Sequence, residues 1–222
     1  MKILNLYACL GGNRYKWDEV ADVDVTAVEW DEELAKLYQE RFPNDKVVVA
    51  DAHQYLLDHY KEFDFIWSSP PCPTHSRLVN TNKNRSGYIL RYPDMKLYQE
   101  IILLDNHFKG KYCVENVISY YKPLITAKKR GRHYYWTNFI LPNDIKDRDS
   151  INGVIGTKGS QKVYIDTLSK FHDYNFYQYK GYQRIAQVAA NLVDYEAGKT
   201  ILETAIGITR KENVNQMELF KK

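Results

Sequence analysis

The sequence predicts an α/β protein built on a doubly wound, mostly parallel sheet. Short, mainly apolar runs alternate with segments of helical period through the first half of its 222 residues. Those runs lack the in–out alternation of a half-solvated strand, so they read as strands covered on both faces. The length fits one domain with a small appendage.

The elements follow in order. Ile3 to Tyr7 is the first strand, broken by Gly11-Gly12, and Val23 to Trp30 is the second. Asp31 to Arg41 reads as a helix, with Leu34, Ala35, Leu37 and Tyr38 on one face, and Pro43-Asn44 stops it. Val47 to Ala50 and Phe63 to Ser68 are the third and fourth strands. Asp94 to Phe108 reads as a helix and Lys111 to Glu115 as the fifth strand. The rhythm then degrades. His133 to Leu141 is expected to be a strand pair, and Pro142 to Gly181 shows no clear period. Tyr182 to Thr204 is expected to be helical with a break near Asp194, and the polar end of the chain to be a loose tail.

Composition narrows the classes. Hydrophobic residues at 44% and charged residues at 27% exclude a collagen-like or disordered chain. Cys9, Cys72 and Cys113 are too scattered for a disulfide framework or zinc knuckle, so no metal is expected and a reducing, cytoplasmic setting is. No apolar run approaches the roughly 20 residues that span a bilayer, so no membrane association is expected. The net charge of +3 is slight, but its distribution is not. Residues 77–96 carry Arg77, Lys83, Arg85, Arg91 and Lys96 against Asp94 alone, and residues 122–136 carry five basic residues and no acid. The two segments can form one basic face for a nucleic acid, or be ordinary solvated loops.

Strand ends carry the chemistry. The turn at Gly11-Gly12 sits where doubly wound folds bind nucleotides, yet it lacks the GxGxxG and GK[ST] patterns and equally suits a plain strand-to-helix turn. Glu29, about 20 residues on, can hold ribose hydroxyls, and Trp30 can stack on adenine. Asp51 can accept from an adenine amino group or cap a helix. Together these outline an adenosine pocket, which a NAD enzyme would share. The stretch Ser68-Ser69-Pro70-Pro71-Cys72-Pro73-Thr74-His75-Ser76 follows the fourth strand. Prolines restrain the backbone before the cysteine, and a loop at a strand's carboxyl end suits a nucleophile. Glu115 closes the fifth strand on the same sheet edge and can handle a proton.

With these motifs in place, the chain resembles the DNA (cytosine-5) methyltransferases, in particular small phage-type members. Pro71-Cys72 resembles their catalytic loop, Glu115-Asn116-Val117 their ENV motif, and Lys128-Lys129-Arg130-Gly131-Arg132 their QxRxR segment with Lys in place of Gln. Ala190-Asn191-Leu192-Val193 resembles the late motif that completes the cofactor pocket. Asn5, Tyr7 and Cys9 stand where Asp, Phe and Gly are usual.

The resemblance implies a Rossmann-like fold using S-adenosylmethionine. Residues 1–141 would be the catalytic and cofactor domain, 142–181 a very small target-recognition region, 182–207 a returning helical segment and 208–222 a tail. It implies Cys72 as nucleophile, with Glu115, Arg130 and Arg132 assisting. Tyr7, Cys9, Gly11, Gly12, Glu29, Trp30, Asp51, Ala52, Pro71, Asn191 and Val193 would contact the cofactor, with the Cys9 side chain crowding it. Arg77, Lys83, Arg85 and Arg132 would contact double-stranded DNA. A monomer is expected, inside a bacterial host if phage-type. Two alternatives stay open: a catalytically weak DNA-binding relative, and the same chemistry on RNA.

Overall fold

The computed structural model describes residues 1–77, 79, 87, 89, 92–145 and 161–208. Seven strands form one sheet: β1 (Lys2–Leu6), β2 (Asp24–Glu29), β3 (Lys46–Val49), β4 (Phe65–Ser68), β5 (Lys111–Val117), β6 (Lys128–Arg130) and β7 (His133–Thr137). Their order is β3-β2-β1-β4-β5-β7-β6. The first five run parallel, and β7 is antiparallel to both β5 and β6. The strand order reverses between β1 and β4, which opens a crevice at their carboxyl ends.

The parallel strands β1, β2, β4 and β5 are buried on both faces, as their apolar runs require, while β3 at the sheet edge is partly exposed. Leu4, Leu6, Val28, Ile66 and Val114 face one cluster, shared with α2 (Ala52–His59) and α3 (Lys96–His107). Ile3, Val25, Phe65, Trp67 and Cys113 face the other, shared with Trp17 and with α6 (Tyr195–Ala205). A buried pair outside the sheet fixes the first crossover: Arg14 donates two hydrogen bonds to Asp45, and the Tyr38 hydroxyl a third.

Helix α1 (Glu32–Arg41) starts at Asp31, whose carboxylate caps the Glu33 and Leu34 N–H groups. The break near Asp194 separates α5 (Ile185–Asn191) from α6. Two expectations needed correction. The strand pair lies at Lys128–Arg130 and His133–Thr137, not within 133–141; Gly131, at φ 50°, turns between them. Within the stretch read as aperiodic, α4 (Gln161–His172) buries Ile165, Leu168 and His172. It packs with α5, Phe176 and Tyr179 against Leu34 and Leu37 of α1 and against Leu10 of the glycine turn.

Candidate active site

The first strand ends in two residues in the left-handed region, Tyr7 at φ 57° and Cys9 at φ 48°. Non-glycine residues are uncommon there and need outside support. Tyr7 gets it from Glu100 of α3, a fully buried carboxylate. The Tyr7 hydroxyl donates to Glu100 Oε1 at 2.6 Å, the Ser68 hydroxyl donates to Oε2 at 2.6 Å, and His53 Nδ1 lies 3.0 Å from Oε1. Burial, then the Glu100 charge, pushes the Tyr7 phenol well above its ordinary range, so it stays a donor.

Cys9 is supported by Glu29. The Glu29 carboxylate is buried and accepts three backbone N–H bonds, from Cys9 at 2.8 Å, Trp30 at 3.0 Å and Asp31 at 3.1 Å. Burial raises its pKa, and those bonds oppose the rise. The Cys9 side chain packs with the α1–α4–α5 cluster. Burial, then the Glu29 charge, drives its thiol far up. Gly12 permits close approach of the late segment: a Cβ there would sit 2.3 Å from the Val193 carbonyl oxygen. At Gly11 it would strike the rings of Phe42 and Tyr38.

At the carboxyl ends of β1 to β4 lies a cavity of about 250 Å³, lined by Tyr7, Trp30, Asp51, Ala52, Pro70, Pro71 and His75, with Asp94, Lys96 and Leu97 closing one side. Trp30 is 66% exposed, so most of its indole face is uncovered. Asp51 both caps α2, accepting from Gln54 N–H at 3.0 Å, and faces Lys96 at 3.6 Å. The capping bond, the largest influence, holds its carboxyl below the usual range against burial, with Lys96 adding to the lowering. The cavity therefore brings together Tyr7, Trp30, Asp51, Ala52 and Pro71 from the expected cofactor set. Cys9, Gly11, Gly12, Glu29, Asn191 and Val193 are not on its wall; Glu29 and the glycines shape the turn behind it.

The loop after β4 leads from this cavity to Cys72. Asn116 Nδ2 donates to the Pro70 carbonyl at 2.9 Å, tying the loop to β5. The His75 and Ser76 N–H groups both donate to the Cys72 carbonyl, and a bridge pairs Ser76 with Ser119. Burial first, and the Glu115 carboxylate second, pushes the Cys72 thiol up to about 11. Glu115 is itself buried, accepts from the Ser69 hydroxyl at 2.9 Å, and lies 3.5 Å from His133 Nε2. Nucleophile candidate and carboxyl candidate thus act on each other electrostatically across the β4–β5 edge.

The two arginines differ. Arg132 sits in the β6–β7 turn, its carbonyl accepting from Ile118 N–H at the carboxyl end of β5. Arg130 is engaged in structure, donating to the carbonyls of Lys129, Leu141 and Pro142 and to Asn143 Oδ1. Arg77 is exposed, whereas Lys83 and Arg85 lie outside the described residues. Sequence reasoning missed Glu100, His53 and His75. Glu100 had a legible signal, since it shares the apolar face of α3 with Leu97, Ile101 and Leu104.

Among the described residues no group of three or more His, Cys, Asp or Glu side chains could hold a metal ion, and no helix is long and apolar enough to cross a membrane. No curated protein matches the chain. Among solved structures, a mutant of Spodoptera frugiperda DNMT2 is similar at 19% identity and a TM-score of 0.41, over 77% of this chain and 65% of that one. A conserved hypothetical protein of Streptococcus pyogenes is similar at 14% identity and a TM-score of 0.40, over 61% of this chain and 83% of that one. TrmN from Thermus thermophilus is similar at 14% identity and a TM-score of 0.35, over 52% of this chain and 33% of that one. The family model for C-5 cytosine-specific DNA methylase matches residues 1–123, more than half of the chain, and the chain belongs to that family.

Proposed function

We propose that this methyltransferase methylates carbon 5 of cytosine in double-stranded DNA, with S-adenosylmethionine as donor and Cys72 as covalent nucleophile. The observation that carries this reading is the joining of Cys72 and Glu115 on one sheet edge, reached by a short proline loop from the cavity at the strand switch. The cavity suits the donor: an open indole face at Trp30 for adenine and a carboxylate at Asp51, while Glu29 holds the turn behind it. When bound, S-adenosylmethionine supplies an electrophilic methyl group.

Carbon 5 of cytosine is a poor nucleophile. Addition of the Cys72 thiolate to carbon 6 makes the ring an enamine, whose carbon 5 can then attack. A thiol raised to about 11 is mostly protonated at neutral pH, so the site must lose negative charge before Cys72 reacts. Glu115 meets that need by taking the Cys72 thiol proton and sharing it with nitrogen 3 of the base, so that the thiolate forms as the carboxylate charge is neutralised and the ring is activated. Arg132, in the β6–β7 turn beside the end of β5, would stabilise charge on the base carbonyl oxygen. Loss of the carbon 5 proton expels Cys72. The base must leave the duplex stack to reach the loop.

Arg77, Lys96, Lys122 and Lys129 are exposed, and with Lys83 and Arg85, which neighbour them in sequence, they would supply the basic face for the duplex. Arg130 serves by fixing the start of the 142–181 region, which we assign to target reading. Bisulfite sequencing of DNA from expressing cells tests activity and site together. Protected cytosines in one short context support the reading; full conversion everywhere, with labelled methyl appearing on RNA, refutes it.

A further inference from the structure

Trp30, on the cavity wall, has an aromatic neighbour that lies outside the cavity lining. Tyr182 lies against Trp30, ring centroids 5.8 Å apart and planes at 74°. Both rings are largely uncovered, at 66% and 69% exposure. Two adjacent aromatic rings left this open are a place for a third flat group. Tyr182 comes from the far side of the chain, and its position is built. The Asp31 carboxylate caps α1 with one oxygen and accepts from the Tyr179 hydroxyl at 2.8 Å and Gln183 Nε2 at 3.0 Å with the other. The Tyr179 hydroxyl in turn accepts from the Gln183 N–H at 3.0 Å. Residues 179–183 are thus strapped to the start of α1, beside Glu29.

We infer that Tyr182 is an adenine-binding residue that extends the donor pocket beyond Trp30. Its ring forms, with Trp30, the outer wall against adenine. The Asp31 strap sets that wall. The inference rests on the cavity being the S-adenosylmethionine site.

Calorimetric titration with S-adenosylhomocysteine and with adenosine tests it, on the full chain and on Tyr182→Ala and Tyr182→Phe. Tyr182 is exposed, so both variants should melt with the parent. Tyr182→Ala should bind both ligands about fivefold more weakly, and Tyr182→Phe should keep most of the affinity, because the ring provides the wall. Parent-like affinity in Tyr182→Ala, or a loss for S-adenosylhomocysteine that adenosine does not share, overturns the inference and leaves the donor site standing. A parent that binds neither ligand overturns the donor site itself, and this inference with it.

Discussion

Replacing Glu115 by Gln separates the two causes that raise the Cys72 thiol. Burial is the larger and survives the substitution; the carboxylate charge is the smaller and does not. At a pKa of about 11 the thiolate fraction at pH 7 is about one in ten thousand, against about one in a hundred for a thiol at its ordinary 9. Alkylation of Cys72 by iodoacetamide, followed by peptide mass spectrometry, should therefore rise roughly tenfold per pH unit up to about pH 10 without levelling. In Glu115→Gln the curve should move to lower pH, and the rate at pH 8 should rise by less than about a hundredfold, since burial remains. Turnover should move the other way and fall by on the order of 10² to 10⁴, because the shared proton at nitrogen 3 is lost. A parent curve that levels near pH 9, or a Gln variant shifted to higher pH, would refute the coupling.

Three further outcomes are expected. Arg14→Met leaves the buried Asp45 without its cation and should cost about 3–5 kcal/mol in urea unfolding; an unchanged midpoint would show that Tyr38 alone satisfies Asp45. Glu29→Ala orphans three backbone N–H groups and should cost roughly 2–4 kcal/mol of stability besides weakening the donor, whereas unchanged melting would confine Glu29 to ligand binding. Replacing Lys83 and Arg85 together by Ala should weaken DNA binding across sequences and lower the salt slope by up to about two units; a change in which cytosine is methylated would instead assign that stretch to base reading.

Much of the fold was legible because sheet burial writes itself into the chain. A strand covered on both faces must be apolar throughout, so β1, β2, β4 and β5 appear as runs, and their ends point to Tyr7, Glu29, Ser68 and Glu115. Strand β6 was not legible: Lys128-Lys129-Arg130 has no apolar pattern and is a strand only through its pairing with β7. Helix α2 is only eight residues long and half polar, so Asp51 read as a cap with nothing certain behind it. The spacing of Ile165, Leu168 and His172 in α4 is helical, but the flanking aromatics and turn residues masked it. At the site, a sequence shows which groups end strands but not how their valences are filled. Glu29 looked free for a ribose, yet its oxygens already accept three N–H groups. The Cys9 side chain was expected to crowd the cofactor, but the left-handed backbone turns it into the helical cluster.

The most direct test of the central claim is trapping on duplex DNA containing 5-fluorocytosine in the presence of S-adenosylmethionine. Fluorine cannot leave carbon 5 as a proton does, so the elimination that frees the enzyme is blocked after methyl transfer. The account predicts a denaturation-resistant protein–DNA adduct in which the cross-linked peptide contains Cys72, and no adduct from Cys72→Ala, which should still bind the DNA. An adduct that persists in Cys72→Ala, or methyl transfer that this variant retains, would contradict it.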